Sequence, residues 1–402
     1  MRILLIRLSA VGDVVRTLPA LTSLRRRFPS AHIDWAVEES SQEILRDQPD
    51  LDSVLVFPRK KLSRVLLHPS EMKDARQALA AFMEDLKRPG YDLVVDFQGT
   101  LKTALMARLT RAPRLVGLGR GHARELSHLL YTEPVKLPSG PMSRVDRALA
   151  LAAHLGADSR DTTSQIPERA EDAAYVDLFL SSLPASAGGK RRASPAVVFP
   201  GTSRTQAYKR YPPARFARAA DLIAESAGLP VVVAWGPGEQ EIAGEVISAM
   251  RSPATLAPAL TLGQLTSLIR RASVFLAGDT GPMHIAWTVG APVVAVYGPT
   301  DPEVNRPGGP FSAVAYRKVF CSPCRNRGCV ARTCLEHLPP ETVAEAALGV
   351  VSRAEAAGYF ARPASIASSD GPLISEGHTE GHPPESRPRF ETMGPGTRPH
   401  DE

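Results

Sequence analysis

Asp13 follows Gly12 in the stretch Arg7-Leu8-Ser9-Ala10-Val11-Gly12-Asp13, between an apolar run and a segment of helical period. A carboxylate at a helix N-terminus is favoured by the helix dipole and the free N–H groups, so Asp13 reads first as a cap. The same field keeps it ionised at neutral pH. An ionised Asp in a cleft can accept the proton of a substrate hydroxyl as that oxygen attacks. A second turn of this kind is Gly278-Asp279-Thr280-Gly281-Pro282-Met283-His284. Thr280 and the free amides after it suit a diphosphate, Gly281 permits close backbone approach, and His284 lies one turn further on. A capped helix with Pro near its first position is the plainer alternative.

Two further strand ends carry polar groups. Phe199–Pro212 offers the hydroxyls of Thr202 and Ser203, then Lys209. A lysine there could neutralise a departing diphosphate, or belong to a solvated loop. Trp235-Gly-Pro-Gly-Glu-Gln-Glu241 presents Glu239 and Glu241, either of which could hold ribose hydroxyls or simply favour a helix dipole. All four cysteines, Cys321, Cys324, Cys329 and Cys334, fall within one short stretch. In a reducing compartment this argues against disulfides and for a closed structural zinc site, with a reduced loop as the alternative. Asp50-Leu51-Asp52 spells an acidic pair, but it sits beside Pro49 and reads as a polar turn.

The elements that must position these groups are legible as alternation. Residues 2–6, 33–37, 54–57, 92–97 and 114–118 read as strands, and 14–28, 70–87, 101–110 and 143–155 as helices. The pattern restarts with strands at 196–200, 230–235, 274–279 and 292–298 and helices near 213–227, 239–250, 262–271 and 281–290. Strand–helix alternation predicts parallel sheets with helices on both faces, and ligands at the strands' carboxyl ends. We expect an N-terminal domain over 1–180, a linker over 181–195 containing Lys190-Arg191-Arg192, and a C-terminal domain over 196–361. The Pro-, Gly- and Ser-rich residues 362–402 are too poor in large apolar groups to offset ordering entropy and are expected to be disordered. Neither a signal-peptide pattern nor an apolar run of membrane-spanning length is evident, which suggests a cytoplasmic protein. A net charge of +6 permits anionic partners without naming one.

In their joint order, S-x-x-G-D, P-G-(T/S) with a downstream Lys, W-G-x-G-x-x-E, D-T-G-x-x-H and Y-G-P-T-D-P resemble glycosyltransferase family 9, the ADP-heptose:lipopolysaccharide heptosyltransferases, over about residues 1–345. Residues 32–39, 91–105 and 123–131 are most similar to the heptosyltransferase I branch, whereas the four-cysteine stretch is more typical of other members. The resemblance implies a GT-B fold, two Rossmann-like doubly wound parallel-sheet domains facing a cleft. It implies inverting, metal-independent transfer of heptose from ADP-heptose to the Kdo region of a lipid-linked acceptor. On that resemblance Asp13 is the general base. Thr202, Ser203, Lys209, Thr280 and Gly281 serve the diphosphate, Lys209 aiding catalysis. Asp279 and His284 are donor-site residues, and Glu241 holds the ribose. Arg59, Lys60, Lys61, Arg64, Arg124 and Arg147 match acceptor-binding stretches, as cations must for carboxylates and phosphates. A chain working this way would be cytoplasmic, peripheral to the inner membrane, and would not bind nucleic acid. Its rivals are the same chemistry on another acceptor or donor sugar, a non-catalytic sugar-nucleotide binder, and a zinc-bearing nucleic-acid binder.

Overall fold

Short aliphatic and β-branched runs form strands that are buried at the sheet centres and partly exposed at the edges. In the first half these are β1 (Arg2–Ile6), β2 (His32–Glu38), β3 (Ser53–Phe57), β4 (Leu93–Asp96), β5 (Arg114–Leu118) and β6 (Glu133–Val135). In the second they are β7 (Ala196–Phe199), β8 (Val231–Val233), β9 (Ala254–Leu256), β10 (Val274–Gly278), β11 (Val293–Tyr297) and β12 (Ser312–Tyr316). The computed structural model describes residues 1–65, 67–158, 164–183 and 194–361. Most of the expected linker, with Lys190-Arg191-Arg192, and the whole tail 362–402 lie outside the described residues.

The sheet orders are β3-β2-β1-β4-β5-β6 and β12-β11-β10-β7-β8-β9, and every pairing is parallel. Counted from the first strand of each half, both read 3-2-1-4-5-6. That is the doubly wound order, whose reversal opens a crevice at the strands' carboxyl ends. The reversals lie between β1 and β4 and between β7 and β10.

The helices of the first half are α1 (Val11–Val15), α2 (Leu18–Arg27), α3 (Arg59–Arg64), α4 (Met72–Lys87), α5 (Leu101–Leu109), α6 (Arg144–His154) and α7 (Ala170–Ser181). The second half has α8 (Pro213–Ala227), α9 (Gln240–Ala249), α10 (Leu262–Arg270), α11 (Gly281–Thr288), α12 (Pro302–Asn305), α13 (Thr333–Glu336) and α14 (Pro340–Ala356). The helix expected over 14–28 is two, α1 and α2. Proline has no N–H and does not fit a helix interior, so the chain breaks and restarts with Pro19 in the first turn of α2. The basic cluster at 59–64 is helical. α7 follows the first half in sequence but packs on α10, where Arg271 Nε bonds Asp177 at 2.6 Å. One buried apolar cluster runs from Val14, Val15 and Leu18 into Met283 and Ile285, so the two halves share a core. No helix among the described residues is long and apolar enough to cross a membrane.

Candidate active site

The chain leaves β1 through Arg7 and Leu8, whose loop is tied across the crevice to the end of β4. Gln98 Oε1 accepts from the Leu8 amide at 3.0 Å, and Arg7 Nη1 donates to the Phe97 carbonyl at 2.6 Å. Asp96, which ends β4, holds that second loop by accepting from the Gln98 amide at 2.8 Å and the Tyr131 hydroxyl at 2.7 Å. Burial pushes the Asp96 pKa up despite these bonds.

α1 begins at Val11 behind Ala10, which has no side chain able to cap it. Asp13 lies in its first turn, yet its carboxylate bonds arginines. Arg7 Nη2 is 2.6 Å from Oδ2, Arg144 Nη1 is 3.0 Å from Oδ1 and 3.1 Å from Oδ2, and Arg16 Nη2 also donates to Oδ1. Burial alone would raise the Asp13 pKa. The fields of Arg7, Arg16 and Arg144 outweigh it and hold the carboxyl well below the usual carboxylate range. Arg16 reaches across to the second half, donating from Nη1 to Asn305 Oδ1 at 2.7 Å.

Directly opposite stands the N-terminus of α11. The halves touch here through two glycines. A Cβ on Gly12 would come within 2.8 Å of His284 Cδ2, and one on Gly281 within 3.1 Å of Val11 Cβ. His284 is buried, and its pKa is driven well below the ordinary value by burial and then by the Arg16 charge. Trp287 Nε1 lies 3.2 Å from His284 Nδ1. An indole nitrogen only donates, so Nδ1 accepts and the proton of the neutral ring sits on Nε2. That Nε2 is 3.9 Å from Asp279 Oδ1, while Asp279 Oδ2 accepts from Lys209 Nζ at 2.7 Å. Thr280 begins α11 without capping it, and its buried Oγ1 has no partner. The hydroxyl and the first amides of α11 are therefore unspent, as an anion site requires.

The remaining donor-side residues divide. Thr202 is buried, its Oγ1 donating to the Gln206 carbonyl at 3.1 Å and accepting from Arg210 Nε at 3.0 Å, whereas Ser203 is exposed. Glu241 is exposed on α9. Glu239 is the carboxylate turned toward the strand ends: Oε2 accepts from the Gly236 amide at 3.2 Å, and a Cβ on Gly201 would fall 2.0 Å from it. Burial raises its pKa.

On the acceptor side, Arg59 pairs with the buried Glu38 at 2.7 Å and Arg64 with Glu71 at 2.8 Å, while Lys60 and Lys61 are exposed. Arg124 is exposed beside the end of β4, its amide donating to the Gly99 carbonyl at 2.8 Å. Arg147 follows Arg144 by one turn of α6. Its buried Nε has no partner, and burial, with the charges of Arg144 and Arg325, depresses its pKa. Arg325 belongs to the cysteine stretch, whose Cys324 and Arg325 amides both donate to the Pro299 carbonyl at 3.0 Å.

Cys334 is buried, Cys329 half-buried, and Cys321 and Cys324 exposed. Burial raises the Cys334 pKa, and charge on Cys324, Cys321 and Cys329 would raise it further. Among the described residues no three His, Cys, Asp or Glu side chains are gathered closely enough to hold a metal ion. Asp50 and Asp52 have structural partners, accepting from Thr22 Oγ1 and the Ile33 amide, both at 2.7 Å.

Sequence reasoning missed Arg7, Arg16, Arg144, Asn305 and Arg325. Arg16 had a readable signal, three residues after Asp13 on a helical face. Arg7 lies in the same short stretch as Asp13, and Arg144, Asn305 and Arg325 reach the site only through the tertiary fold.

The model of glycosyltransferase family 9 (heptosyltransferase) matches residues 79–335. Lipopolysaccharide heptosyltransferase 1 of Pseudomonas aeruginosa is 30% identical over 332 residues, covering 82% of this chain and 87% of the relative. Among solved structures, E. coli heptosyltransferase WaaC with ADP has a TM-score of 0.63 and 28% identity, covering 78% of this chain and 92% of that one. WaaC with ADP-2-deoxy-2-fluoro heptose has a TM-score of 0.64 and 25% identity, covering 86% and 98%. The paired sheets are thus those of a GT-B transferase.

Proposed function

The chain belongs to glycosyltransferase family 9, and on that premise we propose that it moves heptose from ADP-heptose to the Kdo region of a lipid-linked lipopolysaccharide acceptor. The relatives' names and the ADP and ADP-sugar complexes of WaaC support the donor and acceptor class. The observation that carries the mechanism is the Gly12–Gly281 seam. It packs the helix start that carries Asp13 directly against the N-terminus of α11.

In this mechanism the donor diphosphate lies on Thr280 Oγ1, the first amides of α11 and Lys209, with the neutral His284 Nε2–H as a further donor. Thr202 and Ser203 flank it, and Glu239 rather than the exposed Glu241 is the carboxylate placed for the ribose. The acceptor enters over Arg124 and Arg147, with Arg59, Lys60, Lys61 and Arg64 further out. Its hydroxyl oxygen attacks the anomeric carbon, and its proton passes to Asp13. The bond from that carbon to the diphosphate breaks with its electron pair on ADP, and the configuration inverts. Arginines and Lys209 supply the positive charge, so the step as proposed needs no metal. Asp13 under three guanidiniums is a weak base. Arg144, whose side chain is 38% exposed, is the partner an acceptor anion can draw away, and losing it strengthens the base.

The test is heptose transfer from ADP-heptose to Kdo-lipid A by wild type and Asp13→Asn, with ADP binding measured on both. A loss of about 100-fold or more with binding intact supports the base. Unchanged turnover would falsify it. The product's anomeric configuration, read by NMR, checks inversion.

Two further readings belong here. The enzyme works in the cytoplasm at the membrane face where such an acceptor is made. The cysteine stretch holds a structural zinc, the metal its four-sulfur donor set favours. Closing that shell means drawing Cys321 and Cys324 inward from solvent. Metal analysis of the purified chain should give about one zinc per chain, falling in Cys321→Ser. Zinc-free protein of unchanged stability would remove the site.

A further inference from the structure

α5 is apolar on both sides. Thr103, Ala104, Met106 and Ala107 are buried, the last three against Leu4, Ile6 and Leu115, while Leu101, Leu105 and Leu109 stand two-fifths or more exposed at helical spacing on the opposite face. A surface helix ordinarily turns a polar face to water. Beside α5 lies a short 3-10 turn, Ser127–Leu130, and it adds Leu126 at 68% and Leu129 at 70% exposure. Leu126 is held out by a backbone in the left-handed region, φ 59°, directly after Glu125 at φ 55°. Non-glycine residues occupy that region at a cost, and two in succession presenting a leucine to solvent call for a partner.

The surroundings state what kind. Between Thr100 and Tyr131 there are six Lys and Arg residues and one carboxylate, Glu125. Arg108, Arg111, Arg120 and Arg124 are exposed and make no ion pair among the described residues. An apolar ridge rimmed by free cations complements an anionic lipid surface, with leucines in the acyl boundary and guanidiniums at the headgroups. The ridge also joins the crevice. Gly99 O accepts from the Arg124 amide at 2.8 Å and from Ser127 Oγ at 3.0 Å, and the adjacent Gln98 holds the loop that carries Asp13.

We propose that the leucine ridge of α5 and the Leu126–Leu129 turn is the surface by which this protein docks on an anionic phospholipid bilayer. Docked there, the crevice mouth faces the plane from which a lipid-linked acceptor protrudes. This deepens the reading of an acceptor anchored in a membrane and rests on it only for that last step.

The full chain is sedimented with phosphatidylglycerol–phosphatidylethanolamine vesicles and with phosphatidylcholine vesicles, as wild type and as Leu105→Glu and Leu129→Glu. Both positions are exposed, so folding should survive, which thermal unfolding checks. The expected result is salt-sensitive binding of wild type to the anionic vesicles, about tenfold or more weaker in each variant. Transfer to a delipidated, water-soluble acceptor should be unchanged. Absent wild-type binding, or variants that bind equally well, overturns the surface. So does a ridge variant that merely dissociates a dimer, which would make the ridge a contact between copies. Vesicle binding lost in the variants of a chain that transfers no heptose would sustain the surface and count against the catalytic reading alone.

Discussion

In the proposed mechanism the acid–base character of the site rests on one carboxylate under three guanidiniums. Asp13 is pulled well below the ordinary carboxylate range by Arg7, Arg16 and Arg144 against the opposing effect of burial. With the folded pKa depressed, its contribution to stability is complete above the unfolded value of about 3.9 and is lost as pH falls through the folded one. The same sign governs activity. kcat/KM reports the free enzyme, so its profile should show no carboxylate limb from Asp13 above about pH 4. In Arg144→Met one of three cations is gone, and the limb should move toward neutral pH. A wild-type limb near pH 5–6 that Asp13→Asn abolishes would show that the arginines do not govern this group. Asp13 was legible in sequence because its signal is local: a turn, a glycine, a helix start. Its partner Arg144 lies 131 positions away and carries no local signal. That Glu239 rather than Glu241 packs against Gly201 was equally closed to sequence, since both lie at the start of the same helix.

At the scale of elements, the expected strands are present with their ends moved by a residue or two. Continuous apolar runs buried on both faces are a strong signal. Three strands were not foreseen: β6 and β9 are three residues long, too short for any period to show, and β12 is a five-residue edge strand with a single fully buried position. α7 escaped because apolar and polar residues alternate around it without a clear stripe, and its burial comes from α10. The meeting of α1 and α11 is the element-level feature on which the proposed mechanism rests. Two helix starts approach this closely only because Gly12 and Gly281 lack side chains. Gly12→Ala puts a Cβ 2.8 Å from a ring carbon of a fully packed histidine, so something must shift. The expected cost is about 1–3 kcal/mol of stability, as for overpacking generally. Transfer should fall more steeply than ADP binding, because in the proposed mechanism the seam sets the distance between acceptor and donor while the nucleotide rests on the second half alone. Urea unfolding with parallel transfer and binding assays checks this. A variant of wild-type stability and rate would mean that the seam opens during turnover.

At the largest scale the seam also joins two sheets of identical strand order into one compact unit, and His284 sits at the seam. The groups facing it come from both halves: Arg16, Asp13 and Arg144 from one, Lys209 and Asp279 from the other. Burial and the surrounding cations depress its pKa well below the ordinary value. The unfolded chain, with an imidazole near 6.5, therefore binds a proton that the folded one refuses. Stability from this residue is complete above about pH 6.5 and declines as pH falls, with a slope approaching about 1.4 kcal/mol per pH unit. Buried carboxyls such as Asp96 and Glu239, whose pKa values are raised, act in the opposite sense, so the raw curve is not diagnostic. The difference between wild type and His284→Gln removes them. Measured by denaturant unfolding between pH 7.5 and 5.0, that difference should be constant at the alkaline end. It should then narrow toward acid, because the glutamine variant has no proton to refuse. A difference that stays constant would place a proton on His284 in the folded protein. The Nε2–H donor facing Asp279 would then be a cation, and the charge balance argued for the donor side would have to be redrawn.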